Sequence, residues 1–181
     1  MADLLDQPLD LNTRVLAAGV AIRVAGELEL APVGLGGQSY AVEPSPSPAL
    51  IDISRGTTGR TFRLRLSGKL VGPCWRCVTE TRTPFTVDSW EYQEYGRGPD
   101  LDEDGLDCAY LRTELLDVAR WAEDAIIEGL PTTILCRPDC AGICSGCGTD
   151  LNSGTCSCDA PEPDPRWSGL AELAERLKDG S

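Results

Sequence analysis

Histidine is absent from this chain. That excludes a histidine general acid or base, and it removes the ring nitrogen that most catalytic metal centres rely on. No run of 18 or more apolar residues occurs, so no membrane-spanning helix is expected. The start, Met1-Ala2-Asp3-Leu4-Leu5-Asp6, is acidic and lacks the basic flank and apolar stretch of a secretory leader. A cytoplasmic location is expected, where thiols stay reduced. There is no glycine loop of the phosphate-cradling kind, and no carboxylate pair stands apart from the general acidity. An enzyme is therefore not expected.

What is present is charge, unevenly placed. The chain carries a net −13. Residues 55–82 hold Arg55, Arg60, Arg63, Arg65, Lys69, Arg76 and Arg82 against Glu80 alone, whereas residues 83–128 hold thirteen acidic groups and three basic ones. A bipolar chain of this kind presents two different surfaces to partners.

Hydrophobic patterning predicts an α+β fold. An antiparallel β core is expected from about residue 14 to 95, followed by one central helix and a cysteine-rich segment that ends in a short helix. Val20–Val24 and Glu27–Leu30 read as short strands, and Pro44, Pro46 and Pro48 as an extended linker. Leu50–Ile53 begins a strand, Gly56–Gly59 reads as a turn, and Phe62, Leu64 and Leu66 then alternate with Arg63 and Arg65. Period two puts the apolar set on one face and both arginines on the other. Another strand is expected over Pro84–Tyr95, then an acidic loop over 97–107. A helix follows over about 114–129, its apolar face formed by Leu115, Val118, Ala122 and Ile126 and its end marked by Gly129 and Pro131. Leu170, Leu173, Ala174 and Leu177 suggest the terminal helix. The expected organisation is an N-terminal segment (1–48), a β core plus helix (49–135), and a cysteine-rich segment (136–181).

Eight of the nine cysteines fall into close pairs: Cys74/Cys77, Cys136/Cys140, Cys144/Cys147 and Cys156/Cys158. In a reducing compartment such spacing points to metal rather than to disulfides. Zinc takes four soft donors in a tetrahedron, and a tight turn bearing two thiols supplies half of them. Four pairs make two sites, so two zinc ions are expected. The favoured assignment joins Cys74/Cys77 to Cys136/Cys140 and Cys144/Cys147 to Cys156/Cys158. The competing one joins Cys74/Cys77 to Cys144/Cys147. A closed four-thiolate site leaves no position for water or substrate, which makes it structural. The ninth cysteine, Cys108, reads as a small buried apolar residue.

In order and spacing these residues resemble the YceD family, the large ribosomal RNA subunit accumulation proteins. The resemblance is carried by Gly68…Cys74-Trp75-Arg76-Cys77-Val78 and by Leu116-Asp117-Val118 with Glu123 and Leu130-Pro131. It continues through Cys136…Cys140-Ala141-Gly142-Ile143-Cys144…Cys147-Gly148-Thr149-Asp150-Leu151-Asn152, Cys156-Ser157-Cys158 and Asp164-Pro165-Arg166. It implies a non-enzymatic role in large-subunit ribosome biogenesis, with large-subunit rRNA or its precursor as partner. The family includes members with only the first four ligand positions, which favours the first pairing.

On that reading Arg63, Arg65, Lys69, Arg76 and Arg82 form a basic stripe that contacts phosphates, and Trp75 stacks on a base. The bland alternative is that Arg63 and Arg65 are the solvated face of an amphipathic sheet. A second functional reading makes the acidic stretch 88–128 a docking surface for a basic ribosomal protein or assembly factor. A third is a redox or zinc sensor, in which oxidation of a cysteine pair ejects the metal.

Overall fold

The computed structural model describes residues 3–5, 8–14, 16–95, 107–158, 166 and 170. It divides into two compact units, residues 1–142 and 143–181. The first unit is mostly antiparallel β with one helix. Its strands are β1 (Asp3–Leu4), β2 (Leu9–Asp10), β3 (Ala21–Leu28), β4 (Val33–Leu35) and β5 (Gln38–Glu43). They continue with β6 (Ser47–Arg55), β7 (Gly59–Pro73), β8 (Glu80–Glu94), β9 (Leu111–Arg112) and β10 (Leu115–Leu116), and the helix α1 covers Val118–Glu128.

β7 is the spine. Along one edge it pairs with β6 through its first half and with β5 through Lys69–Val71; along the other it pairs with β8 over its whole length. β3 extends the sheet beyond β6, and β1 adds a short parallel pairing at Gly26 and Glu27. A small second sheet runs in the order β2-β10-β9. The alternation in β7 does what period two requires. Phe62, Leu64, Leu66 and Leu70 are buried, together with Ile51 and Ile53 of β6 and Val87 of β8.

α1 closes this apolar face against β8 with Val118, Trp121, Ala122 and Ile126. The Trp121 indole nitrogen donates to Ser89 Oγ on β8 at 3.0 Å, and its ring stacks on Tyr110 at 6.0 Å between centroids. The helix begins four residues later than its periodicity predicts. Thr113 and Glu114 adopt positive φ, Leu115 and Leu116 pair as a strand with β2 and β9, and Leu115 is exposed. Asp117 is the N-cap, its Oδ1 accepting from the Arg120 N–H at 3.1 Å. Asp117→Ala is expected to lower stability by about 1 kcal/mol, the usual loss for a capping carboxylate, measured by urea denaturation.

Three other expectations change. The two short strands predicted near the start are one strand, β3, running through Gly26, because pairing with β6 across its full length outweighs the low strand propensity of glycine. The strand predicted over Pro84–Tyr95 begins earlier, at Glu80. The proline-rich stretch is a bend between β5 and β6, with Pro48 inside β6. Of the predicted acidic loop only Asp107 lies within the described residues, and of the predicted terminal helix only Leu170, which is helical and exposed. No helix is long and apolar enough to cross a membrane among the described residues.

Candidate metal centres and the basic strand face

β7 and β8 run antiparallel from Gly59↔Glu94 up to Pro73↔Glu80. The six residues that close this hairpin are Cys74-Trp75-Arg76-Cys77-Val78-Thr79. The Cys74 N–H donates to the Thr79 carbonyl at 2.8 Å, and the Val78 N–H donates to the Cys74 carbonyl at 3.0 Å. Val78 takes the left-handed conformation this turn demands, with φ +62°. The segment after α1 returns to the hairpin: the Trp75 N–H donates to the Ile134 carbonyl at 2.8 Å, and Arg76 Nη1 donates to the Cys140 carbonyl at 2.9 Å. Cys136 and Cys140 thereby meet Cys74 and Cys77. Cys74 Sγ lies 3.8 Å from Cys140 Sγ, and Cys77 Sγ 3.6 Å from Cys136 Sγ.

In the second unit the same turn recurs. Over Cys144-Ser145-Gly146-Cys147-Gly148-Thr149, the Cys144 N–H donates to the Thr149 carbonyl at 2.8 Å and the Gly148 N–H to the Cys144 carbonyl at 2.9 Å. Gly148, at the position of Val78, has φ +73°. Cys147 Sγ lies 3.2 Å from Thr149 Oγ1. Asp150 then turns the chain back by accepting from the Asn152 N–H at 2.9 Å, ahead of Cys156 and Cys158.

The eight cysteines form two groups: Cys74, Cys77, Cys136 and Cys140 in one, Cys144, Cys147, Cys156 and Cys158 in the other. Within each, all four sulfurs lie within 4.8 Å of one another. A tetrahedron with arms of about 2.3 Å has edges of about 3.8 Å, so the donor sets match zinc in type, number and spacing. The two groups differ in burial. Cys74 and Cys140 are 0% and 1% exposed, whereas Cys147 and Cys158 are exposed.

The thiols of each group are not alike. Burial opposes the Cys74 thiolate, yet the N–H groups of Cys77, Cys136 and Arg76 outweigh it and bring the thiol down to about 6. N–H groups of Cys147 and Gly146 bring Cys144 down to about 6. Desolvation of its sulfur and the crowding of Cys140, Cys77 and Cys74 push Cys136 up to about 12, although the residue as a whole is exposed. Cys147 and Cys144 push Cys158 up to about 11. Four sulfurs this close resist full ionisation by themselves, and a divalent cation supplies the opposing charge that lets all four become thiolates. Cys108 stands apart: it is buried in the main core beside Glu91, and desolvation raises its thiol to about 11, which makes it unreactive.

The outward face of the sheet carries the predicted basic residues. Arg63 grips Asp88 with two bonds of 2.7 Å, and its guanidinium lies 4.6 Å from the centre of the Trp90 ring. Arg65 donates to Asp52, which also accepts from Arg23 at 2.6 Å. These bonds hold both aspartates below the usual carboxylate range, Asp88 through Arg63 and Asp52 mainly through Arg23. Lys69 is exposed further along β7, and Arg76 is exposed in the Cys74–Thr79 turn, the first of the two cysteine knuckles. The sequence pattern found the arginines and missed their carboxylate partners, which come from β6 and β8 and have no fixed spacing from them. The two Cys-x-x-Cys turns were legible, but the threonine two places after each, Thr79 and Thr149, was not read as part of one repeated turn.

Residues 62–174 match the family described as Large ribosomal RNA subunit accumulation protein YceD. Uncharacterized proteins of Mycobacterium bovis and of two Mycobacterium tuberculosis strains are each 31% identical to the chain over 113 residues, covering 57% of it and 50% of their own length. The chain thus spans about half the length of the curated relatives it matches. No solved structure matches it.

Proposed function

The chain belongs to the YceD family, and on that premise we propose that it is a non-enzymatic zinc-binding factor in large ribosomal subunit biogenesis that contacts large-subunit rRNA or its precursor. The observation that carries this reading is the sorting of eight cysteines into two four-thiol groups inside a chain of this family. Each closed group is a structural cross-link: Cys74, Cys77, Cys136 and Cys140 hold one zinc, and Cys144, Cys147, Cys156 and Cys158 the other. Coordination saturated by protein sulfur supplies folding energy and offers no reactive position.

RNA contact is assigned to the outward face of β7. Arg63, Arg65 and Lys69 project from one side of the strand, spanning about 20 Å at about 3.3 Å per residue, and Arg76 follows in the knuckle. The Arg63–Asp88 pair is solvent-exposed and the Arg65–Asp52 pair half-buried. Such pairs contribute about 1 kcal/mol at most, so a phosphate can take the place of the carboxylate. Tagged protein purified from cells is expected to carry large-subunit rRNA. The double reversal Arg63→Glu/Arg65→Glu should lower affinity for a precursor transcript at least tenfold and reduce the salt slope by about two.

One alternative has its own support. The net charge of −13 and the neutralisation of both arginines favour an acidic module that binds a basic ribosomal protein or assembly factor. On that reading the double reversal leaves rRNA recovery intact. Neutralising Asp100, Asp102, Glu103 and Asp104, which lie outside the described residues, abolishes it instead.

A further inference from the structure

We propose that the tip of the first knuckle, Trp75 together with Val78, receives an unpaired RNA base, with Arg76 between them facing the adjoining phosphate. The proposal deepens the RNA-contact reading and rests on it.

The first observation is a comparison inside the molecule. The same turn is built twice, with the same two backbone hydrogen bonds. In each copy the residue after the second cysteine must take a left-handed conformation: Gly148 at φ +73° in one, Val78 at φ +62° in the other. Glycine adopts that conformation freely, whereas a β-branched residue is strained there. Packing does not offset the strain, because Val78 is 59% exposed. An exposed outlier of this kind motivates a functional reading but does not make one alone, since the exposed Thr113 at φ +46° is another.

The second observation is the neighbouring indole. Trp75 is 47% exposed, an unusual state for tryptophan. It is nevertheless fixed in place. Its backbone N–H donates to the Ile134 carbonyl, and the benzo edge of its ring sits against Gly36, where an added Cβ would lie 2.5 Å from Cζ3. The ring rests on backbone, so it is rigid underneath and open above. Arg76 is also exposed, and its bond to the Cys140 carbonyl fixes where the guanidinium lies.

Size and charge select the occupant. A stable protein interface takes about 800 Å² from each partner, drawn from about 20–30 residues. One exposed indole with a valine three residues on offers an area on the scale of a single base, and base–aromatic stacking tolerates any sequence. The surrounding stretch, residues 55–82, is the basic part of this acidic chain.

The test uses the zinc-loaded full chain and a fluorescein-labelled, unstructured 12-nucleotide RNA, read by anisotropy. Trp75→Ala is expected to weaken binding by about 5- to 150-fold, the range for loss of one stacked base, and Trp75→Phe by less. Val78→Gly separates function from structure. Relief of strain should raise the thermal midpoint while RNA affinity falls several-fold, two changes of opposite sign that a purely structural valine would not give. Zinc content confirms that each variant is folded; if Trp75→Ala loses metal, Trp75→Phe and Val78→Gly decide. Wild-type affinity in these variants, beside a loss in Arg63→Glu/Arg65→Glu, overturns the proposal and leaves the RNA-contact reading standing. Loss of a co-purifying protein from Trp75→Ala with RNA affinity unchanged overturns it as well, in favour of a protein partner. Absence of RNA binding by the wild type ends both.

Discussion

The wild type is expected to hold two zinc ions per chain and Cys140→Ser one, with the thermal midpoint of the first unit lowered by more than ten degrees. The reasoning starts from burial. Cys74 and Cys140 are closed off from solvent, and Leu135 packs against them in a small cluster separate from the main core. The segment after α1 meets the β7–β8 hairpin through these sulfurs, the Trp75–Ile134 bond and the Arg76–Cys140 bond, with few apolar side chains to help. Structural zinc contributes binding energy directly to folding, on the order of 10 kcal/mol in small domains. Losing even half of that shifts the midpoint by about 10–20 °C in a protein of this size. Cys158→Ser should also lose one zinc but leave the melting of the first unit nearly unchanged, since its four-thiol group lies wholly in the second unit. A chelator should empty the second group first, because Cys147 and Cys158 are exposed. Elemental analysis counts the metal and calorimetry follows the two units. A wild-type protein that is folded, reduced and free of zinc would falsify the assignment.

Trp121→Ala is expected to destabilise the zinc-loaded protein by about 3–5 kcal/mol, as for other large aromatic truncations in a core. Trp121 is 1% exposed and among the largest fully buried side chains. It joins three elements at once: it is on α1, it donates to Ser89 on β8, and it stacks on Tyr110. Removing the ring opens a cavity under the helix and leaves the Tyr110 ring without its neighbour. Ser89→Ala isolates the polar part of the effect. It leaves a buried indole N–H without a partner and should cost about 1–3 kcal/mol. Guanidinium titration in excess zinc separates both effects from metal loss. If Trp121→Ala unfolds within 1 kcal/mol of the wild type, α1 does not close the core as described.

Much of this was legible in the sequence, for identifiable reasons. The alternation of Phe62, Leu64 and Leu66 with Arg63 and Arg65 fixes a face, because a strand has only two. The cysteine pairs are legible because a turn that brings two thiols together is short and local. The start of α1 was not. Leu115 fits the helical period as well as Val118 does, and only Asp117 with the two positive-φ residues before it shows where the helix begins. The length of β3 was hidden for another reason: Gly26 breaks the local strand pattern, and the ladder that carries the strand across it comes from β6, more than twenty residues away. The pairing of Arg63 with Asp88 and of Arg65 with Asp52 is likewise a property of register, not of any window of sequence.

The β7–β8 hairpin has a consequence for how this chain can change length. Loops between strands are normally where insertions are tolerated. Here the last rung of the ladder, Pro73↔Glu80, leaves only the six residues of the knuckle, and two of them are thiol donors with fixed separation. One added residue would either part the sulfurs or slip the strands, and a one-place slip turns every side chain to the opposite side of the sheet. The longest pair of strands is therefore closed at one end by a segment that cannot lengthen. Tags, fusions and natural insertions belong at the other end, in the turn between Arg55 and Gly59, where no cysteine counts the residues.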